Sequence, residues 1–257
     1  SAGRTGGAPK GLSAELYALT HRGNRGDLEF YQRACKGARS VLELGSGYGR
    51  VLAALAQAER RVVGLEQNPE LLALARRTLR QLSPKKRQSV RLAQGDFCGF
   101  ELSERFERVV MPYNALYCLL SRQAALRCFR SVHRALAPKG LFVFDVWNAA
   151  AFHAAQGAPA DDARAIVTLS HGKRTWDVFE SSRVRRANKR LDVAYSYVPR
   201  EGGQLQTIAI PQRYFLAAEL DELLERAGFA VQARYGDFSG GRFSPRSAQQ
   251  IVLARPA

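Results

Sequence analysis

The sequence predicts an α/β fold in which a doubly wound sheet of seven strands carries an antiparallel β insertion between its fifth strand and the last helix. Three observations predict this fold. Short apolar runs alternate with amphipathic stretches from Ser40 onward, which is typical of a parallel sheet covered by helices on both faces. The apolar period changes to two after Trp147. Helical character then returns before two final strands.

The first five strands are expected at residues 40–44, 61–65, 90–92, 108–112 and 141–146. Helices are expected between them at about residues 50–58, 69–81 and 121–136. Pro69 suits the first turn of a helix, and the third of these helices ends before the sequence Pro138-Lys139-Gly140. The fifth strand (LFVFDV) is apolar at nearly every position, as expected of a strand buried on both faces.

The insertion is expected to contain strands at residues 165–169, 175–179, 191–197 and 206–210, joined by turns that contain glycine or asparagine. A helix over residues 216–226 stops at Gly228, which suits the C-terminal cap, and strands at residues 229–235 and 249–254 complete the sheet. No linker separates residues 163–213 from the rest. We therefore expect one domain over residues 16–257, preceded by a flexible tail over residues 1–15.

Composition restricts the class of protein. Among 257 residues, 46% are hydrophobic and 24% are charged, which excludes a wholly disordered or collagen-like chain. We expect no membrane partner, because no apolar run approaches the roughly 18–20 residues of a membrane span. The four cysteines follow no disulfide or zinc spacing, so we expect reduced thiols and a cytoplasmic protein. The four histidines are widely spaced, so we expect no metal site.

The charge is the unusual feature: 39 Lys and Arg face 23 Asp and Glu, a formal net charge of +16. Such a balance is typical of a protein that binds nucleic acid or another polyanion. The alternative is that arginines are scattered over ordinary helix faces. The densest runs, at residues 84–87 (PKKR) and 183–190 (RVRRANKR), contain no aromatic residues on which bases could stack, which favours the scattered distribution.

A glycine-rich turn after the first strand carries the strongest chemical signal. It reads E-x-G-x-G-x-G and begins at Glu43, and a second carboxylate, Glu66, lies 21 positions after Gly45 at the end of the second strand. A dinucleotide site would need a third glycine where Arg50 stands, and no Gly-Lys-Ser/Thr sequence follows for a P-loop. Glu43 suits an ammonium group and repels a pyrophosphate, while Glu66 can accept from ribose hydroxyls. These charges fit a nucleoside that bears an amino acid, S-adenosylmethionine.

Residues 17–148 resemble the class I S-adenosylmethionine-dependent methyltransferases, which have a Rossmann-like fold. The similarity is greatest to glycine/sarcosine N-methyltransferases and sugar-nucleotide N,N-dimethyltransferases. The motifs that carry it are residues 43–49 (ELGSGYG), 66–68 (EQN), 95–97 (GDF), 112–114 (PYN) and 144–146 (FDV), followed in the tail by 213–215 (RYF), 228–229 (GF) and 235–238 (YGDF).

The resemblance implies roles in cofactor binding. Gly45 and Gly47 would pack against the methionine part, Glu66 would hold the ribose, and Asp96 would accept from the adenine amino group. The full set of implied cofactor residues is Tyr31, Glu43, Gly45, Ser46, Gly47, Tyr48, Gly49, Arg50, Glu66, Gln67, Asp96, Phe97, Pro112 and Asn114. Of these, Gln67 would lie near the adenine, Phe97 would lie on its ring, Asn114 would flank the methionine moiety, and Tyr31 and Arg50 could contact the methionine carboxylate.

The expected activity is methyl transfer to the nitrogen or oxygen of a small-molecule acceptor. Candidate catalytic residues belong to segments that should meet at the carboxyl edge of the sheet: Tyr17, His21, Tyr113, Asn114, Tyr117, Trp147, Asn148 and Arg213. We expect the insertion to cover the pocket as a lid that helps to choose the acceptor; a dimer interface is the competing interpretation, and the chain could be a monomer or a homodimer.

Three alternatives remain at this point. The positive charge could attract an anionic small molecule, or it could mark an RNA or protein methyltransferase. Base-methylating enzymes of this fold carry two prolines after an Asp or Asn at the end of the fourth strand, whereas residues 111–114 read MPYN, which speaks against nucleic acid. A catalytically inactive scaffold is the third alternative, and the complete glycine loop together with Glu66 and Asp96 argues against it.

Overall fold

The computed structural model describes residues 8–155 and 163–257. Its helices are α1 (Leu12–Thr20), α2 (Asp27–Ala34), α3 (Arg50–Leu55), α4 (Pro69–Leu79), α5 (Pro84–Gln88), α6 (Arg122–Ala135), α7 (Ala150–Ala154) and α8 (Ala217–Arg226). Its strands are β1 (Ser40–Leu44), β2 (Arg61–Glu66), β3 (Val90–Gln94), β4 (Phe106–Met111), β5 (Leu136–Trp147), β6 (Arg164–His171), β7 (Arg174–Arg185), β8 (Arg190–Pro199), β9 (Gln206–Arg213), β10 (Phe229–Tyr235) and β11 (Gln249–Pro256). Within these ranges no helix combines the length and apolar character that crossing a bilayer requires.

The main sheet has seven strands in the order β10-β11-β5-β4-β1-β2-β3. The pairs from β5 to β3 are parallel, and β11 runs antiparallel to both of its neighbours. Every residue of β1 is buried, as a central strand with helices on both faces requires. The predicted α/β fold is confirmed, including the seven strands and the antiparallel insertion.

Two predicted boundaries differ for identifiable reasons. Helix α3 ends at Leu55, where the carbonyl accepts from the buried guanidinium of Arg60 at 3.1 Å and so needs no further turn of helix. The same guanidinium donates to the carbonyls of Cys35 and Ala38, after α2, at 2.8 and 2.9 Å. The flexible tail predicted for residues 1–15 is wrong at its end, because residues 12–15 belong to α1. Residues 1–7 of that tail lie outside the described residues.

The insertion forms a separate antiparallel sheet in the order β6-β7-β8-β9, with strands longer than predicted. One end packs on α1, where Leu16 meets Trp176, Tyr197 and Ile208 in a small apolar cluster. The other end reaches the main core through Leu191 and Val193 of β8. The sheet is therefore held at both ends, against α1 and against the core of the main sheet.

Candidate functional site

A cleft of about 640 Å³ opens at the carboxyl ends of the parallel strands, where β1 to β4 lead into their loops. It gathers fifteen of the residues proposed from the sequence: Tyr17, His21, Glu43, Gly45, Ser46, Gly47, Tyr48, Arg50, Glu66, Gln67, Asp96, Phe97, Pro112, Tyr113 and Asn114. Residues remote in sequence therefore meet in one site, as the strand order of a doubly wound sheet requires.

The glycine loop is shaped by its backbone. The amides of Gly45 and Ser46 donate to the carbonyl of Leu65 at 2.9 and 3.1 Å, which ties the loop to the end of β2. Gly45 has φ +69°, and a Cβ atom there would lie 3.3 Å from the ring of Phe97. Gly47 has φ +53° and open space where its side chain would be. The loop thus leaves room for a ligand beside its backbone.

Glu66 holds two segments of the site together. Its two carboxylate oxygens accept from the amides of Gly47 and Asn68, each at 2.8 Å. The side chain of Asn68 in turn caps α4, accepting from the amide of Glu70 at 2.9 Å. Because an ionised carboxylate offers about four acceptor positions, Glu66 can still accept from two further donors in the cleft.

Two buried polar groups, on Glu43 and Ser46 at the start of the glycine loop, fit the ammonium group of an amino acid. Oε2 of Glu43 and the hydroxyl oxygen of Ser46 are buried, and neither has a hydrogen-bond partner among the described residues. Burial raises the pKa of Glu43 well above its usual value, opposed by the charge of Arg50. An ammonium group against Oε2 would supply the missing donor and favour the ionised carboxylate. These residues therefore fit the amino-acid end of S-adenosylmethionine.

Arg50 lines the cleft, but its guanidinium is bound by a protein carboxylate. It donates to both oxygens of Asp27, at 2.8 and 2.5 Å, in a bidentate pair that is largely buried. Gly23 has φ +88°, and any side chain there would collide with the guanidinium. A contact of Arg50 with a ligand carboxylate would therefore use the remaining N–H groups or share the pair with Asp27.

The loop after β4 is fixed from below by Asp145. Tyr113 and Asn114 both have positive φ, 56° and 61°, which side chains other than glycine adopt rarely. Oδ1 of Asp145 accepts from the Tyr113 amide at 2.9 Å and from the Tyr31 hydroxyl at 2.6 Å. Burial raises the pKa of Asp145 to about 6. Tyr31 accordingly lies beneath this loop, as a support for Asp145, and not on the wall of the cleft.

The opposite wall is aromatic. The ring of His21 stacks on Tyr17 with centroids 3.9 Å apart, and its edge meets Tyr195 of β8 at 4.7 Å. Nδ1 of His21 lies 3.0 Å from the Tyr17 carbonyl, so Nδ1 carries the hydrogen and Nε2 bears the lone pair. Burial lowers the pKa of His21 to about 4. The imidazole is therefore neutral at pH 7.

Several predicted residues lie away from the described cleft wall. Tyr31 supports Asp145, and Gly49 packs against Ala75, 3.2 Å from where its Cβ atom would be. Tyr117 is buried and donates to the carbonyl of Trp147 at 2.7 Å, so this pair braces the cleft from behind. Packing and hydrogen bonds within the protein, and not contact with a ligand in the cleft, explain the positions of these residues.

Asn148 and Arg213 also face elsewhere. The amide of Asn148 donates to three carbonyls of the loop before β11, those of Ser244, Pro245 and Ser247. Arg213 donates to Glu219 at 2.6 Å and lines a second cleft. The sequence did not single out as site residues the others that line the first cleft: Ala8, Pro9, Val51, Asn68, Leu71, Cys98, Ala115, Cys118, Leu119, Leu120, Ala124, Tyr195, Ala209, Ile210, Pro211 and Gln212. Most of these are apolar residues without a motif. Among them, Tyr195 and residues 209–212 belong to the segment that was expected to cover the pocket.

The glycine loop, the carboxylates of Glu66 at the end of β2 and Asp96 after β3, and the buried Glu43 converge on one cleft, an arrangement that fits S-adenosylmethionine. Residues 41–140 match the family model described as methyltransferase domain. The chain carries this domain and is an S-adenosylmethionine-dependent methyltransferase, as predicted.

Three similar proteins place this assignment in context. The cypemycin N-terminal methyltransferase of a Streptomyces species is 26% identical over 216 residues, which cover 84% of this chain and 82% of that protein. The dTDP-3-amino-3,6-dideoxy-alpha-D-glucopyranose N,N-dimethyltransferase of Streptomyces fradiae is 28% identical, covering 64% and 66%. The structure of the CcbJ methyltransferase from Streptomyces caelestis superposes with a TM-score of 0.77 and 27% identity, covering 91% and 89%.

Proposed function

We propose that this enzyme transfers a methyl group to the amine nitrogen of a small molecule. The observation that carries the proposal is the pairing, in one cleft, of the glycine loop with an aromatic wall that holds a neutral imidazole at His21. The similar proteins support an amine, because two of them are named for methylation of an N-terminus and of an amino sugar.

In this proposal the cofactor lies between the loop and the β4 end. Glu43 would accept from its ammonium group, Glu66 from the ribose hydroxyls, and Asp96 from the adenine amino group, with Phe97 and Gln67 beside the base. Bound S-adenosylmethionine supplies an electrophilic methyl group on its sulfonium. Support comes from the unpartnered Oε2 of Glu43 and the acceptor positions left on Glu66.

The acceptor half would align an amine and exclude water. A neutral amine needs only orientation toward the methyl group, because the displacement is in line and positioning supplies much of the rate. Nε2 of His21 can accept an N–H of the amine, which leaves the nitrogen lone pair free for the attack. Tyr195, Ile210 and Pro211 of the insertion form part of this wall, and we take residues 163–213 to cover the cleft as a lid.

A peptide amine is the second candidate acceptor, favoured by the similarity to a methyltransferase named for a peptide N-terminus. A protein or peptide acceptor would place its N-terminal amine in the same cleft. It differs from a small molecule in that the rest of the chain would lie outside the cleft. The nitrogen chemistry is common to both.

The test is methyl transfer by the purified enzyme to an aliphatic amine, an amino sugar, a phenol, a short peptide with a free N-terminus and a tRNA. We expect the mass increase of one methyl group on an amine, and a lower kcat in His21→Asn with unchanged affinity for S-adenosylmethionine. His133→Asn, a histidine remote from the cleft, is the matched control. Methylation of one tRNA position in stoichiometric amount, abolished by Tyr113→Ala, would overturn the proposal.

A further inference from the structure

A second cleft, which we call the basic cleft, adjoins the first. It is a shallow cleft, open to solvent, with a volume of about 640 Å³ between the start of α6 and the strands β7 to β9. It is lined by Leu120, Ser121, Arg122, Gln123, Arg185, Asn188, Arg190 and Arg213. Four of these eight side chains are arginines, and none is acidic. The sequence run 183–190 contributes two of them, because it forms the hairpin between β7 and β8 and not a continuous strip along a helix.

The cations of the basic cleft outnumber the carboxylates that surround them. Glu219 accepts from Arg122, Lys189 and Arg213, at 3.0, 2.9 and 2.6 Å. Asp192 pairs with Arg185 and Arg190, at 3.2 and 2.9 Å. Glu222 pairs with Arg122 and is also shared with Arg226 outside the cleft.

Five cations of the cleft region thus share three carboxylates, so a positive excess remains. In addition, the Nε–H group of Arg190 is buried and has no hydrogen-bond partner among the described residues. A buried donor of this kind is costly unless a ligand or water accepts from it. The positive charge and the unpaired donor both favour binding of an anion with several acceptor oxygens.

The two clefts are joined. Leu120 lines both of them. On β9, Gln212 lines the first cleft and its neighbour Arg213 lines the second. A molecule held in the first cleft could therefore extend past Leu120 and reach the arginines with its far end.

We infer that the basic cleft binds an anionic group of the methyl acceptor, a phosphate or a carboxylate, while the methylated atom lies in the first cleft. This inference rests on the proposed function, since it identifies the other end of the same acceptor. The arginines recognise the oxygens of the anion through their planar guanidinium groups, and they fix how far the acceptor's amine lies from the anion.

The test uses calorimetric titration of the purified enzyme with inorganic pyrophosphate and, separately, with succinate, at low ionic strength so that screening is small. The variant is Arg122→Gln/Arg185→Gln. Each carboxylate keeps a cation in it: Glu219 keeps Arg213, Asp192 keeps Arg190, and Glu222 keeps Arg226. The matched control is Arg76→Gln/Arg80→Gln, which removes the same charge from two exposed positions, Arg76 in α4 and Arg80 at its C-terminal cap.

We expect at least one of the two anions to bind to the wild type. Its affinity should fall by about ten-fold or more in Arg122→Gln/Arg185→Gln and stay unchanged in the control. Binding of pyrophosphate but not succinate would assign a phosphate, and the reverse a carboxylate. Equal loss in the control, or no binding of either anion, would overturn the inference. Titration of S-adenosylmethionine in the same samples separates the anion site from the cofactor site. Binding of S-adenosylmethionine supports the cofactor site whatever the anions do. Failure of the wild type to bind S-adenosylmethionine would refute the cofactor site itself.

Discussion

Replacement of Glu66 by alanine should weaken binding of S-adenosylmethionine by roughly 30-fold to 1,000-fold, because two ribose hydroxyls would lose their acceptor. Because Glu66 is only partly buried, each hydrogen bond to its carboxylate contributes about 1–2 kcal/mol, so two bonds give roughly 2–4 kcal/mol of binding free energy. The structure adds a second effect. Glu66 also accepts from the amides of Gly47 and Asn68, so the alanine variant releases the glycine loop and the start of α4.

Calorimetric titration with S-adenosylmethionine measures the first effect, and denaturant unfolding without ligand measures the second. The loss of two partly exposed backbone contacts should lower the free energy of unfolding by only about 1–3 kcal/mol. Glu70→Gln is the matched control, since Glu70 lies four positions away on the exposed first turn of α4. A dissociation constant for Glu66→Ala within about three-fold of the wild type would refute the reasoning.

Three further predictions test other parts of the site. Burial lowers the pKa of His21 from 6.5 to about 4, so its contribution to stability is present above pH 6.5 and is lost as the pH falls toward 4. In His21→Asn, the free energy of unfolding should therefore fall by about 2–3 kcal/mol less than in the wild type between pH 7 and about pH 4.5. Urea unfolding at the two pH values measures this, and an equal fall in both proteins would contradict it. Tyr31→Phe should lower the free energy of unfolding by about 1–2 kcal/mol, because Asp145 loses a donor at 2.6 Å; no loss in guanidinium unfolding would show that the bond contributes nothing. Gly45→Ala should weaken S-adenosylmethionine binding, because φ at this position is +69° and the new Cβ would press on Phe97. Gly172→Ala is the control: φ there is +60° and the space is open, so we expect backbone strain but unchanged affinity for S-adenosylmethionine. Equal affinities of the two variants would contradict the prediction.

Local signals predicted the framework well. The strand β1, its glycine loop and the carboxylate that ends β2 are adjacent in sequence, so their spacing alone places them at one sheet edge. Ser121, expected as the first residue of the third helix, lies one position before α6 and caps it, accepting from the amide of Ala124 at 3.0 Å. Cleft residues that follow strand ends were therefore predicted correctly as neighbours, while their roles in binding stay predictions.

Side chains paired over long sequence separations could not be predicted in the same way. Nothing in the sequence indicates that Asp27 would occupy the guanidinium of Arg50, or that Asp145 would hold Tyr31 and the β4 loop together. Tyr117 shows the same limit: it follows a strand end, as cleft residues do, but its ring points into the core. Which way a side chain turns depends on packing partners that come from distant elements.

The charges of the cleft explain how so basic a protein can hold a cationic cofactor. Within the described cleft wall the ionisable carboxyls are Glu43, Glu66 and Asp96, and the one guanidinium, that of Arg50, is already paired with Asp27. His21 adds no charge at pH 7, because burial disfavours its protonated form. The +16 of the chain is therefore carried outside this site, and part of it is concentrated in the adjoining basic cleft. Two neighbouring clefts of opposite sign suit a cationic cofactor and the anionic group of the acceptor, because each charged group is attracted to one cleft and repelled from the other.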